Sequence, residues 1–169
     1  MLKNALKLAV AGTLVMATAT AVAAPSPATT TLNVSANVAS NCLVTAAPLA
    51  FTDYDASGTV DGAADLSVRC SNATLYTIKL GGGTHGNVTQ RLLRSAGGNV
   101  LEYNLFTTAA RGTIWGDTVG TNTVGGSGRG MSINKANTHT VFGTISNSDA
   151  NQDAPVGLYT DAVAVTVEY

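Results

Sequence analysis

Apolar and polar residues alternate with a period of two along much of the chain. Leu66, Val68 and Cys70 are separated by Ser67 and Arg69, Tyr76, Ile78 and Leu80 by Thr77 and Lys79, and Leu101, Tyr103 and Leu105 by Glu102 and Asn104. A further strand is expected over Thr138 to Ile145, and Val163, Val165, Val167 and Tyr169 alternate with small or polar residues. Side chains two apart share one face of a strand, so each run predicts a strand with one buried and one solvated face. Such strands pair antiparallel and stack in two layers.

The runs are punctuated by Asp53 to Gly62, Gly81 to Asn87, Thr121 to Gly130 and Asn147 to Gly157, all rich in turn-forming residues. About seven or eight short strands spaced in this way predict an all-β, immunoglobulin-like Greek-key sandwich. Gly, Thr, Asn and Ser are abundant where good helix formers are scarce, so few helices are expected.

One alternating run stands apart. No charged side chain occurs between Lys7 and Asp53, and inside that gap Leu32, Val34, Ala36 and Val38 alternate with Asn33, Ser35 and Asn37. A strand-like segment tethered ahead of Cys42 can pair with its own domain or with a neighbour's. Burying Leu32, Val34 and Val38 would contribute about 1.5–3 kcal/mol each, with roughly 0.5–1.5 kcal/mol net per ladder hydrogen bond. Pro25-Ser26-Pro27-Ala28, upstream, predicts a short mobile leader.

The first residues change the compartment. Lys3 and Lys7, the apolar stretch Leu8 to Met16 and Ala21-Val22-Ala23 read as a secretory signal peptide over residues 1–23, with Ala24 first in the mature chain. The apolar stretch is too short to span a membrane as a helix. What remains suffices for one domain. Its net charge, −1 for the whole chain, becomes about −3 once both lysines are removed, which gives no reason to expect nucleic acid or an anionic membrane as partner. In an exported chain the two cysteines, Cys42 and Cys70, are expected to form one disulfide.

Candidate chemistry is sparse. Asp53, Asp55 and Asp61 with Gly58 imitate the start of a calcium loop, but Ala64 stands where the bidentate Glu belongs, so a solvated turn is expected. The glycine-rich stretches lack the Lys-Ser/Thr ending of a phosphate loop. His85 and His139 have no nucleophile motif beside them. Trp115 is expected in the core rather than at a sugar site. Catalytic residues, metal ligands and cofactors are therefore not expected.

Several segments resemble the spore coat protein U domain family, which includes subunits of archaic chaperone-usher pili. They are the alternating leader ending just before Cys42, Leu49-Ala50-Phe51-Thr52-Asp53-Tyr54, Leu66 to Cys70, Leu101 to Phe106 with Ala109-Ala110-Arg111 and Ile114-Trp115-Gly116, and Val141 to Ile145. The ending, Gly157-Leu158-Tyr159-Thr160-Asp161 followed by Val165 to Tyr169, is the most specific piece. The resemblance implies a sandwich lacking one strand, completed by the N-terminal segment of a neighbouring subunit through strand addition. By position, Leu32, Val34, Ala36 and Val38 would be donor side chains, and Val163, Val165 and Val167 would line the acceptor groove. Residues 24–41 would then be leader and donor strand, and residues 42–169 the sandwich domain.

The partners so implied are a periplasmic chaperone, an outer-membrane usher and identical or related pilin subunits. The product would be a surface fibre used in adhesion and biofilm formation. The same domain in a spore or cell coat, or a self-complemented monomeric carbohydrate-binding module, are the alternatives.

Overall fold

The computed structural model describes residues 22–169, so the expected signal peptide lies outside the described residues apart from its last two. The chain divides into two units, Met1–Ala36 and Asn37–Tyr169. Residues 22–36 form no helix or strand, and Leu32 and Val34 are each 85% exposed. The alternation seen in this segment thus has no ladder to join within it, since a lone strand leaves every backbone donor and acceptor to water.

The second unit is all-β. Its longest strand, β2 (Val60–Cys70), keeps strict alternation, but its inward residues change character along it. Leu66, Val68 and Cys70 are buried, whereas Val60, Gly62 and Ala64 are half-buried. The core is closed at one end of this strand and open at the other. Strands β1 (Cys42–Ala46), β4 (Arg91–Ser95), β5 (Val100–Phe106), β7 (Asn137–Ile145) and β8 (Tyr159–Thr160) complete an antiparallel sheet in the order β1-β2-β7-β5-β4-β8. The second sheet holds β3 (Leu75–Leu80) between β6 (Val124–Ser127) and β9 (Val165–Glu168). Among the described residues, helix is confined to one turn of 3-10 helix, Ile133–Lys135, and a four-residue helix α1, Asp149–Gln152.

Between the sheets lie Leu66, Val68, Tyr76, Ile78, Leu80, Leu101, Leu105, Val141 and Ile145, the inward positions of the alternating runs. Trp115 joins them at 1% exposure, its indole N–H donating to Ile78 O at 3.1 Å. Cys42 faces Cys70 in the β1–β2 register and the two form the disulfide.

Three stretches expected as turns hold regular structure. β2 begins at Val60, inside Asp53 to Gly62, and α1 sits inside Asn147 to Gly157, where Ser148 accepts from Asn151 N and caps it. Val124-Gly125-Gly126-Ser127 reads as a turn by composition but forms β6, because Gly126 leaves room for the Tyr76 ring across the ladder.

Candidate functional site

The site is the open side of the sandwich. β9 pairs with β3 through Leu80↔Val165 and Thr77↔Glu168, and a Gly81 N–H to Ala164 O bond of 2.9 Å carries the pairing one residue further. Among the described residues, no strand pairs with the other edge of β9. Val163, Val165 and Val167 are half-buried and pack against the core, while Ala162, Ala164 and Thr166 point outward.

The opposite wall is the chain that follows β1. Ala47 N–H bonds to Asp65 O at 2.9 Å, after which residues 48–54 form no backbone–backbone hydrogen bond among the described residues. Leu49, Phe51 and Tyr54 turn inward onto the core while Ala50, Thr52 and Asp53 face water. Between this wall and β9 lies a cleft of about 220 Å³. Val163 and Val165 line one side, Leu49 and Phe51 the other, and Ala64, Leu66, Leu105 and Val141 its floor. Val167 packs beyond it. Sequence reasoning named the valines of β9 but not Leu49 or Phe51, although their alternation with Ala50 was a visible signal.

One end of the cleft is polar. Asp161 lines it together with Tyr103, whose hydroxyl donates to Asp161 Oδ2 at 2.7 Å. Asp161 Oδ1 accepts from the backbone N–H of Thr84 and of Ala162, each at 2.8 Å. Gly83, at φ +81°, lets the chain pass against this carboxylate where any side chain would collide with it. Burial first, then the Asp161 carboxylate, push the Tyr103 phenol far above its ordinary pKa. These contacts hold the connection between β8 and β9 in place.

Behind this end, Arg91 is fully buried and links the two sheets. Its five N–H groups reach five acceptors: Gly81 O (2.9 Å), Val88 O (3.3 Å), Asn104 Oδ1 (2.7 Å), Leu80 O (3.3 Å) and Trp115 O (2.7 Å). Burial lowers its pKa from the ordinary guanidinium value, an effect opposed by Tyr103, Asp161 and Asp117.

Of the expected donor residues, Leu32, Val34 and Ala36 lie in the first unit and Val38 in the second, and all four are exposed. The chain between Val38 and the disulfide is fastened to its domain: Asn41 N–H donates to Ser71 Oγ at 3.1 Å and Ser71 N–H to Asn41 O at 2.9 Å.

Other candidates resolve as structural features. Asp55 Oδ1 accepts from the Ser57 hydroxyl (2.6 Å) and amide (2.9 Å), which lowers its pKa and closes a turn. Among the described residues, no group of three or more His, Cys, Asp or Glu is placed to hold a metal ion, and no helix is long and apolar enough to cross a membrane. His139 Nε2 pairs with Tyr76 Oη at 2.9 Å within the fold.

The model of the Spore Coat Protein U domain matches residues 28–166. The chain belongs to the Spore Coat Protein U domain family. Among solved structures, a CsuC-CsuE chaperone-tip adhesion subunit pre-assembly complex from archaic chaperone-usher Csu pili of Acinetobacter baumannii is similar to this chain. Identity there is 23% and the TM-score 0.54, over 78% of this chain and 40% of that one. A chaperone-tip adhesin complex of CFA/I fimbriae biogenesis gives 11% identity and a TM-score of 0.44, over 75% of this chain and 41% of the other. The chain thus spans less than half the length of either matched chain. No curated protein matches the sequence.

Proposed function

We propose that the chain is a pilin: a structural subunit of a chaperone-usher surface fibre that polymerises by donor-strand exchange and serves adhesion and biofilm formation. The reading is supported above all by one coincidence. A single chain carries both an apolar cleft flanked by unpaired backbone and an exposed, alternating apolar segment of strand length.

Leu32 to Val38, fully extended at about 3.3 Å per residue, measures roughly 23 Å. That length suits the edge from Val163 to Glu168. An open apolar edge is an aggregation hazard unless something covers it, and an added strand supplies main-chain hydrogen bonds together with side chains in every second position. A one-residue slip would turn Leu32, Val34, Ala36 and Val38 to solvent, so the pattern itself specifies the register. The contact joins the leader of one subunit to the cleft of another, is heterologous, and therefore propagates as a filament.

In this scheme residues 1–23 direct export, a periplasmic chaperone covers the cleft before assembly, and an outer-membrane usher exchanges that cover for residues 24–41 of the next subunit. Val34→Asp tests the donor assignment. It places a charge where the scheme requires an apolar contact, so sheared surface fractions are expected to lose fibres while the chaperone-bound domain stays folded. Normal fibres from this variant would remove Val34 from the donor set.

A further inference from the structure

The inner face of the large sheet carries a notch. Gly62 and Gly143 are direct partners in the β2–β7 ladder, on the side that also buries Leu66 and Val141. Glycine in a strand interior weakens the strand and marks a place where something approaches closely. Here the approaching groups are the same for both glycines. A Cβ at Gly143 would lie 2.8 Å from Phe51 Cζ and 3.1 Å from both Leu49 methyls. At Gly62 it would lie 3.1 Å from Leu49 Cδ2, 3.2 Å from Phe51 Cδ1 and 3.3 Å from Ala50 O. Phe51 is further held by an edge-on contact with Tyr103, ring centroids 6.1 Å apart.

Residues 48–54 have no backbone ladder to fix their distance from β9. The insertion of Leu49 and Phe51 into the notch takes over that task. The same two side chains form one wall of the cleft, opposite Val163 and Val165. The depth to which they sink therefore sets the width of the opening.

We propose that the Gly62–Gly143 notch gauges the acceptor cleft: by seating Leu49 and Phe51 deep in the sheet, it holds the 48–54 wall far enough from β9 to admit one strand. The inference rests on the donor-strand reading above. Neighbouring strands lie about 4.7–4.9 Å apart, so a strand between two others needs roughly twice that span. A methyl at Gly143 moves the Phe51 ring out by at least several tenths of an ångström to reach ordinary contact, and a close-packed interior transmits the shift rather than absorbing it. The side left free for the ring is the cleft. Gly62 and Gly143 act as positioning residues, through Leu49 and Phe51.

The test compares wild type, Gly143→Ala, the double variant Gly62→Ala/Gly143→Ala, and Gly143→Ala/Phe51→Leu, each expressed as the full chain with residues 1–23. Two readouts are taken: the heat-sensitive polymer ladder after co-expression with chaperone and usher, and nuclear Overhauser contacts between the Phe51 ring and the Val163 and Val165 methyls. The double variant is expected to lose polymer at least about tenfold while its disulfide and chaperone complex form normally, and its ring contacts to the two valines are expected to strengthen. Phe51→Leu is expected to restore polymer to Gly143→Ala, which general damage to the sheet would not allow. Gly143→Ala alone serves if the double variant forms no chaperone complex. Wild-type polymer from the alanine variants, or ring contacts that do not move, would overturn the proposal. A wild-type chain that forms no ladder would overturn the donor-strand reading instead, and the ring contacts would still decide whether the notch sets the cleft.

Discussion

Arg91→Met gives the most informative perturbation of the domain itself. With the sandwich open beside β9, the two sheets are not zipped together by apolar packing along their whole length, and Arg91 supplies a polar tie at the open end. It joins β4 and Asn104 of the large sheet to Leu80 and Gly81 at the end of β3, and to Trp115. Met keeps the length and most of the volume, so the change isolates lost hydrogen bonds from a cavity. Leu80 O and Trp115 O sit in fully buried bonds, and a buried acceptor without a partner costs about 1–3 kcal/mol. Part of the resulting 2–6 kcal/mol is offset because the buried guanidinium no longer has to be desolvated. A net loss of about 2–4 kcal/mol is expected, read from the urea midpoint of the disulfide-intact mature chain at unchanged m-value. Arg91→Lys is expected to lose most of it too, since an ammonium has three donors where the site presents five acceptors. A loss below about 1 kcal/mol for Arg91→Met would refute the idea that this residue ties the sheets.

Further outcomes follow from other parts of the molecule. Removing the Cys42–Cys70 bridge by paired serine substitution is expected to cost about 3.5 kcal/mol in the chain-entropy treatment of a loop this long, measurable as a shift in the urea midpoint. Burial depresses the pKa of His139 below its usual 6.5, so the unfolded chain binds the proton more readily. Stability should hold above pH 6.5 and fall as pH drops below it toward the lower folded-state value. His139→Gln is expected to flatten that part of the profile, and an unchanged slope would assign it to other groups. Tyr103→Phe removes the hydrogen bond to Asp161 in the connection between β8 and β9. It is expected to cost about 1.5–3 kcal/mol, as for a bond to a charged acceptor, again by urea unfolding.

How much of this was readable in the sequence differs from element to element. The second half of β2 (residues 66–70), β3 and β5 announce themselves because their inward residues are apolar and alternate with polar ones, whereas the first half of β2 and β7 carry the small inward residues Gly62, Ala64 and Gly143. β4 does not announce itself. Its pattern, Arg91-Leu92-Leu93-Arg94-Ser95, places a charged residue inward, and only the acceptors from β3, Asn104 and Trp115 make that burial tolerable. β6 is hidden by its glycines, and the role of Gly126 depends on Tyr76, far away in the chain. The disulfide followed from compartment and count. The cleft was legible on one side only: Val163, Val165 and Val167 advertise an apolar face, whereas the importance of Leu49 and Phe51 depends on two glycines brought opposite each other by a ladder. Sequence alternation reports which face a residue prefers, and says little about what that face will meet.

The claim at the centre of the account is that residues 30–38 of one subunit complete the fold of another. It is tested most directly by running surface-sheared protein, unboiled and boiled, on a denaturing gel, comparing the intact chain with a variant lacking Thr30 to Val38. Both are co-expressed with chaperone and usher. A ladder that collapses on boiling, present for the intact chain and absent for the deletion, is the expected result. Monomer from both, or an equal ladder from both, would contradict strand exchange through this segment.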